Sequence, residues 1–121
     1  MSDILSIGKQ GEDMAVEYLT GEGYDILERN WRFRHIEVDI IARKGDQLVI
    51  AEVKARSGNS YGEPYVAVDV RKQRSLIFAA ERYIFSHNLD VDVRFDIISI
   101  IIGQGRTSLE HIKEAFHPVA K

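Results

Sequence analysis

The 121-residue chain contains no cysteine. That removes disulfides, thiolate zinc sites and cysteine nucleophiles together, and fits a reducing compartment such as the cytoplasm. Proline is scarce, at two residues, and with nine glycines the sequence is neither collagen-like nor proline-rich. Long apolar runs are also missing. The densest, Ile97-Ile98-Ser99-Ile100-Ile101-Ile102, falls far short of the roughly 20 residues a bilayer demands. Met1 to Gly8 has neither the basic start nor the apolar stretch of a signal peptide. An overall excess of positive charge is absent too: 16 Lys and Arg stand against 19 Asp and Glu, for a net charge of −3.

What is present is an ordinary globular composition, 45% hydrophobic and 29% charged, at a length that suits one domain over residues 1–121. The charge is unevenly distributed. From Arg29 to Arg74 there are 10 basic and 6 acidic residues, net +4, while the remainder carries −7. A basic middle block within an acidic chain leaves a polyanionic partner open where the total charge alone would argue against one.

The elements read in the order αβββαββ, an α/β domain with a mixed sheet flanked by helices. A first helix is predicted from about Lys9 to Glu22, closed by Gly23, with Gly8, Gly11, Ala15 and Leu19 on its apolar stripe. Glu12 sits three, four and seven residues before Ala15, Val16 and Leu19, which aims it inward. Strands are predicted over Tyr24–Phe33, Ile36–Arg43 and Gln47–Arg56, with Lys44-Gly45-Asp46-Gln47 a tight turn between the second and third. Asp69 is the N-cap of a second helix, Val70 to Ser86. A buried strand from Val91 to Ile102 and a short last strand from Leu109 to Ile112 complete the order, with a helical turn the alternative for the remainder to Phe116.

Chemistry concentrates on the third strand. Leu48-Val49-Ile50-Ala51 is apolar on both faces, as in a covered strand, and then runs into Glu52-Val53-Lys54. Pairing of Lys44 with Gln47 places Asp39 opposite Glu52, and Glu37 opposite Lys54. Two opposed carboxylates repel unless a cation lies between them. Lys54 is one candidate and a divalent metal the other; carboxylate oxygens suit a hard cation such as Mg²⁺ or Mn²⁺. Arg71, Lys72 and Arg74 open the second helix, where the macrodipole disfavours positive charge. With Arg32, Arg34 and Arg56 they form a potential phosphate track, and Tyr61 is positioned to stack on a base.

Glu12 on an early helix, Glu37-Val38-Asp39 on one strand and Glu52-Val53-Lys54 on the next resemble the PD-(D/E)xK nucleases of the restriction-endonuclease-like fold. The arrangement is most similar to archaeal Holliday-junction resolvases. More narrowly, Gly8-x-x-Gly11-Glu12, Asn30-Trp31-Arg32, Glu37-Val38-Asp39-Ile40-Ile41, Glu52-Val53-Lys54, Tyr61-Gly62, Lys72-Gln73-Arg74 and Arg94-Phe95-Asp96 resemble the YraN-like family of small bacterial proteins. The resemblance implies a three-layer core and Mg²⁺ or Mn²⁺ held by Asp39 and Glu52 with Glu12 as a further ligand. It also implies Lys54 as the residue that activates water or neutralises transition-state charge, and Gln73 as a supporting helix residue. DNA is the implied substrate, with a homodimer as the junction-cutting relatives form; a binding module without turnover is the alternative. The family usually has glycines just before the Glu-x-Asp element, where this chain has His35-Ile36.

Overall fold

In the computed structural model, residues 7–58, 68–103 and 105–118 are described. They form α1 (Ile7–Gly21), β1 (Asp25–Phe33), β2 (Ile36–Lys44), β3 (Gln47–Ser57), α2 (Val70–Ser86), β4 (Asp92–Gly103) and β5 (Arg106–Phe116). The five strands make one sheet in the order β1-β2-β3-β4-β5. Only β3 and β4 run parallel, joined by the crossover that contains α2; the other neighbours are antiparallel. This is the α/β mixed-sheet architecture and the element order expected from the sequence.

The two helices pack on opposite faces because the central strands are apolar on both. On one face Ala15 and Leu19 of α1 meet Ile40, Ala42, Val49, Ala51, Ile98 and Ile100. On the other Leu76, Ala79, Ala80 and Tyr83 of α2 meet Val38, Ile41, Leu48, Ile50 and Phe95. Each fully buried Leu or Ile contributes about 1.5–3 kcal/mol, so the middle layer is held from both sides. α1 comes unusually close to β3: a Cβ placed on Gly11 would collide with the Cβ of Ala55. The glycine therefore sets the depth at which the first helix, and Glu12 on it, sits over the sheet.

Local signals account for the helix and turn boundaries. Asp69 caps α2, its carboxylate accepting a 2.8 Å hydrogen bond from the Lys72 amide. The hairpin turns through Gly45 at φ 62° and sets the pairing of Lys44 with Gln47, which continues to Ile40 with Ala51. The last strand is longer than expected, reaching from Arg106 to Phe116.

There the expected register stops. The ladder between β2 and β3 ends at Ile40 and Ala51. Asp39 does not form a further rung with Glu52; its Oδ2 accepts a 2.8 Å bond from the backbone N–H of Val53. Nor does Glu37 face Lys54. It pairs with Arg32 across β1, at 3.2 Å. The facing of β2 also changes across Asp39: Ile40 packs under α1, whereas Val38, two residues away, packs under α2. Strict alternation would put both on one face. The cause lies next door on β1, where Asn30 adopts φ 53° between the pairs Arg29–Ile40 and Trp31–Val38. A left-handed residue inside a strand twists it sharply, and β2 follows its neighbour.

Candidate active site

The twist opens a gap between the ends of β2 and β3. A cavity of about 450 Å³ lies there, lined by Gly8, Lys9, Glu12, Asn30, Asp39, Val53 and Ala55. Glu12 and Asp39, distant in sequence, thus open onto one space. Glu52 lies beside it on β3, 6% exposed, and is reached from two directions by cations: Lys54 Nζ at 3.8 Å and Lys72 Nζ at 3.4 Å from its Oε2. Its other oxygen, Oε1, is buried with no hydrogen-bond partner. An ionised carboxylate oxygen left in that state is costly, because it has lost water and gained nothing.

The electrostatics of Asp39 carry the same message. Burial, followed by the negative charge of Glu52, pushes its carboxyl up to about 7. The Val53 N–H bond and the charge of Lys72 pull the other way, while Glu12 adds to the rise. Three acids and two lysines from four elements therefore share one electrostatic neighbourhood, in which burial and like charge outweigh the cations at Asp39.

Glu12 is already engaged. Its Oε1 accepts bonds from Arg29 at 3.0 Å and from the Asn30 side-chain amide at 2.9 Å, and Arg29 also holds Asp13 at 2.6 Å. Among the described residues no group of three or more His, Asp or Glu side chains is placed to grip a metal ion together. The expected trio is thus a pair, Asp39 and Glu52, with Glu12 facing the same cavity but anchored to β1. The donor chemistry of that pair still fits a hard cation. Mg²⁺ commonly takes one or two protein carboxylates and fills its remaining positions with water and substrate phosphate oxygens. The unpartnered Oε1 of Glu52 is a free oxygen donor of that kind.

The other sequence candidates scatter. Lys72, grouped with the phosphate-contacting residues, instead pairs with Glu52. Gln73 does not reach the carboxylates: its amide donates to the Val68 carbonyl at 2.7 Å, and it lines a separate groove with Arg74 and Phe78. Arg71 and Arg74 are exposed on α2, and Arg56 is half-buried at the end of β3. Arg32 is tied to Glu37 on the sheet edge. Arg34 stands in the β1–β2 turn, its guanidinium over the Phe33 ring. Tyr61 lies outside the described residues. Arg29, Asn30 and Lys9 were not singled out for the site from sequence. The Asn30-Trp31-Arg32 run was the available signal, since asparagine tolerates the left-handed conformation that the twist demands.

A second polar cluster lies on the α1 face. Asp96 on β4, 1% exposed, accepts from Arg94 at 2.8 Å and His111 Nε2 at 2.7 Å, and from the Glu114 amide at 3.1 Å. His111 Nδ1 meets the Tyr18 hydroxyl of α1 at 2.9 Å, and Arg94 donates to the Tyr24 hydroxyl at 2.7 Å. Arg94 and Asp96 belong to the sequence resemblance; His111 links β4, β5 and α1.

Fold and site together define a small three-layer α/β protein with an acidic, lysine-flanked cleft where two central strands part. No helix among the described residues is long and apolar enough to cross a membrane. The chain belongs to the Uncharacterised protein family UPF0102, whose profile matches residues 11–100. It is 47% identical over 118 residues to a UPF0102 protein of Bacteroides thetaiotaomicron, with 98% of each chain covered. It is 46% identical over 116 residues to a second from Christiangramia forsetii, covering 96% of this chain and 98% of the relative. A third, from Rhodococcus opacus, is 44% identical over 118 residues, covering 96% of this chain and all of the relative.

Proposed function

We propose that this chain is a metal-dependent nuclease that hydrolyses phosphodiester bonds in DNA, with branched or repair intermediates as substrates. The observation that carries the reading is the crowding of carboxylates at the strand gap. Asp39 is pushed up to about 7, and Glu52 has a buried oxygen without a partner. Asp39 lines the cavity, and a divalent cation bound beside it would relieve both costs. Mg²⁺ or Mn²⁺ would be held by Asp39 and Glu52, with Glu12 facing the same space. When bound, such a cation draws charge from phosphate oxygens and lowers the pKa of water.

Hydrolysis joins the oxygen of water to phosphorus, breaks one ester P–O bond and leaves the proton from water on the departing oxygen. The protein's part is positional and electrostatic. Lys54, on the same strand as Glu52, supplies positive charge where phosphoryl oxygens gain negative charge. Lys72 offsets the negative charge of Glu52, while the Val53 N–H fixes one oxygen of Asp39. Arg29 and Asn30 hold Glu12 against the cavity wall. DNA as partner, a homodimer as assembly and the cytoplasm as compartment belong to the same reading.

A second reading, a nucleic-acid-binding module without turnover, is favoured by one observation, the engagement of Glu12 by Arg29 and Asn30. Incubation with Mn²⁺ or Mg²⁺ and branched, single-stranded and duplex DNA separates the two. The nuclease reading expects cleavage that Asp39→Ala and Lys54→Ala abolish. Products that persist undiminished in Asp39→Ala come from a contaminant and refute it, and binding without products leaves the second reading.

A further inference from the structure

The outer face of α2 carries Arg71, Arg74, Phe78, Arg82 and Phe85, all exposed and spaced three or four residues apart, so they form one stripe along the helix. At 1.5 Å per residue the stripe is about 21 Å long. It begins beside Lys72, which touches Glu52 in the strand gap. Phe85 is 74% exposed and Phe78 40%, well outside the core. Beside them the end of β1 adds Phe33, whose ring lies 5.7 Å from that of Phe78. The guanidinium of Arg82 sits between two rings, 5.8 Å from the centre of Phe33 and 5.2 Å from that of Phe85, and Arg34 covers Phe33 at 5.2 Å.

Solvent-exposed phenylalanines have no reason to be there for stability. Here they alternate with four arginines on a chain whose net charge is −3. The charge selects a polyanion, and the rings select one whose flat groups are free to stack. A second copy of the chain fits poorly, because a two-fold contact through this stripe would set guanidinium against guanidinium. A paired duplex fits poorly as well, since its bases are already stacked on one another and offer no free ring face.

We propose that the α2 stripe, with Phe33 and Arg34, is a binding track for single-stranded nucleic acid. Arginines take the phosphates and phenylalanines stack on unpaired bases. The placement of the track rests on the nuclease reading in one respect only. Its N-terminal end adjoins the strand gap, so the strand it holds is delivered to the carboxylates. The substrate class is then a nucleic acid with an unpaired segment next to the point of cleavage.

Fluorescence anisotropy at low ionic strength without divalent metal tests this, using labelled oligothymidylate of about 20 nucleotides, longer than a typical single-strand site, and a duplex of equal length. The single strand is expected to bind at least tenfold more tightly. Phe85→Ala and Phe78→Ala should each weaken it by roughly fivefold to a hundredfold, as loss of one stacking partner does. Phe85→Tyr should retain affinity and Phe85→Leu should not, with unchanged thermal melts for all four variants. Equal affinity for the two probes, or a Phe85→Leu variant that binds like the parent, overturns the proposal. So does a concentration-dependent dimer that Phe85→Ala dissolves, which would make the stripe a contact between copies. Stabilisation by Mn²⁺, read separately in thermal melts, reports the carboxylate pair. Single-strand binding without any Mn²⁺ effect refutes the nuclease reading and not the track; a Mn²⁺ effect without single-strand preference does the reverse.

Discussion

Replacing Asp39 with asparagine should make the metal-free protein more stable at neutral and alkaline pH. The carboxyl of Asp39 is raised from an ordinary 3.8 to about 7, first by burial and next by Glu52. A group raised in this way resists ionisation in the folded state but ionises freely once the chain unfolds. Below the unfolded value both states hold the proton and nothing is lost. Between that value and about 7 the unfolded state gains progressively, and above about 7 the penalty is constant. A shift of about three units is worth about 4 kcal/mol at 1.36 kcal/mol per unit. Asparagine keeps an oxygen to accept the Val53 N–H, carries no charge, and should recover about 2–4 kcal/mol of that penalty at pH 8. Against a total stability of about 5–15 kcal/mol this is large, on the order of 10 °C in Tm. Thermal melts with a chelator present, at pH 5 and pH 8, read the effect. The variant should gain more at pH 8 than at pH 5, and Mn²⁺ should raise the Tm of the parent alone. An Asp39→Asn protein no more stable than the parent at pH 8 would refute the claim that the site is strained by its own charge.

Two further perturbations probe the frame around the site. Gly11→Ala sets a methyl against the Cβ of Ala55, a contact neither backbone relieves cheaply, so urea unfolding should show a loss of about 1–3 kcal/mol. An unchanged midpoint would mean that α1 shifts freely over β3. Asp96→Asn should be worse, at about 3–5 kcal/mol, because it removes the buried charge that part-buried Arg94 pairs with. Burial alone would raise the Asp96 carboxyl, but bonds from His111, Arg94 and the Glu114 amide hold it below the usual range. A depressed carboxyl stabilises the fold above its unfolded value, and that contribution disappears as pH falls through the folded one. The parent should therefore lose stability on acidification over that window while the variant loses less, and parallel acid profiles would contradict it.

Much of this fold is readable in the sequence where local chemistry and burial agree. The span of α2 follows from its apolar periodicity and the Asp69 cap, and the β2–β3 register from a two-residue turn containing Gly45. β5 was underestimated because Arg106, Thr107, Ser108, Glu110 and Lys113 leave an edge strand with too little apolar alternation to mark its ends. The site was legible as a set of residues and not as a geometry. Alternation put Asp39 across from Glu52, but alternation assumes a regular strand, and left-handed Asn30 on the neighbouring strand breaks that assumption. Lys72 looked like one of several cations opening a helix; its partnership with Glu52 depends on where α2 lands on the sheet, which no spacing along the chain encodes.

The twist at Asn30 has a second consequence, at the margin of the sheet. β1 is the outermost strand on its side of the sheet, and an open margin of that kind invites another polypeptide to zip onto it. Here a foreign strand that began to pair along Asp25 to Arg29 would be thrown off line one residue later, and would then meet Arg32 and Arg34. The contortion that opens the cleft on one side thus guards the flank on the other against amyloid-like growth.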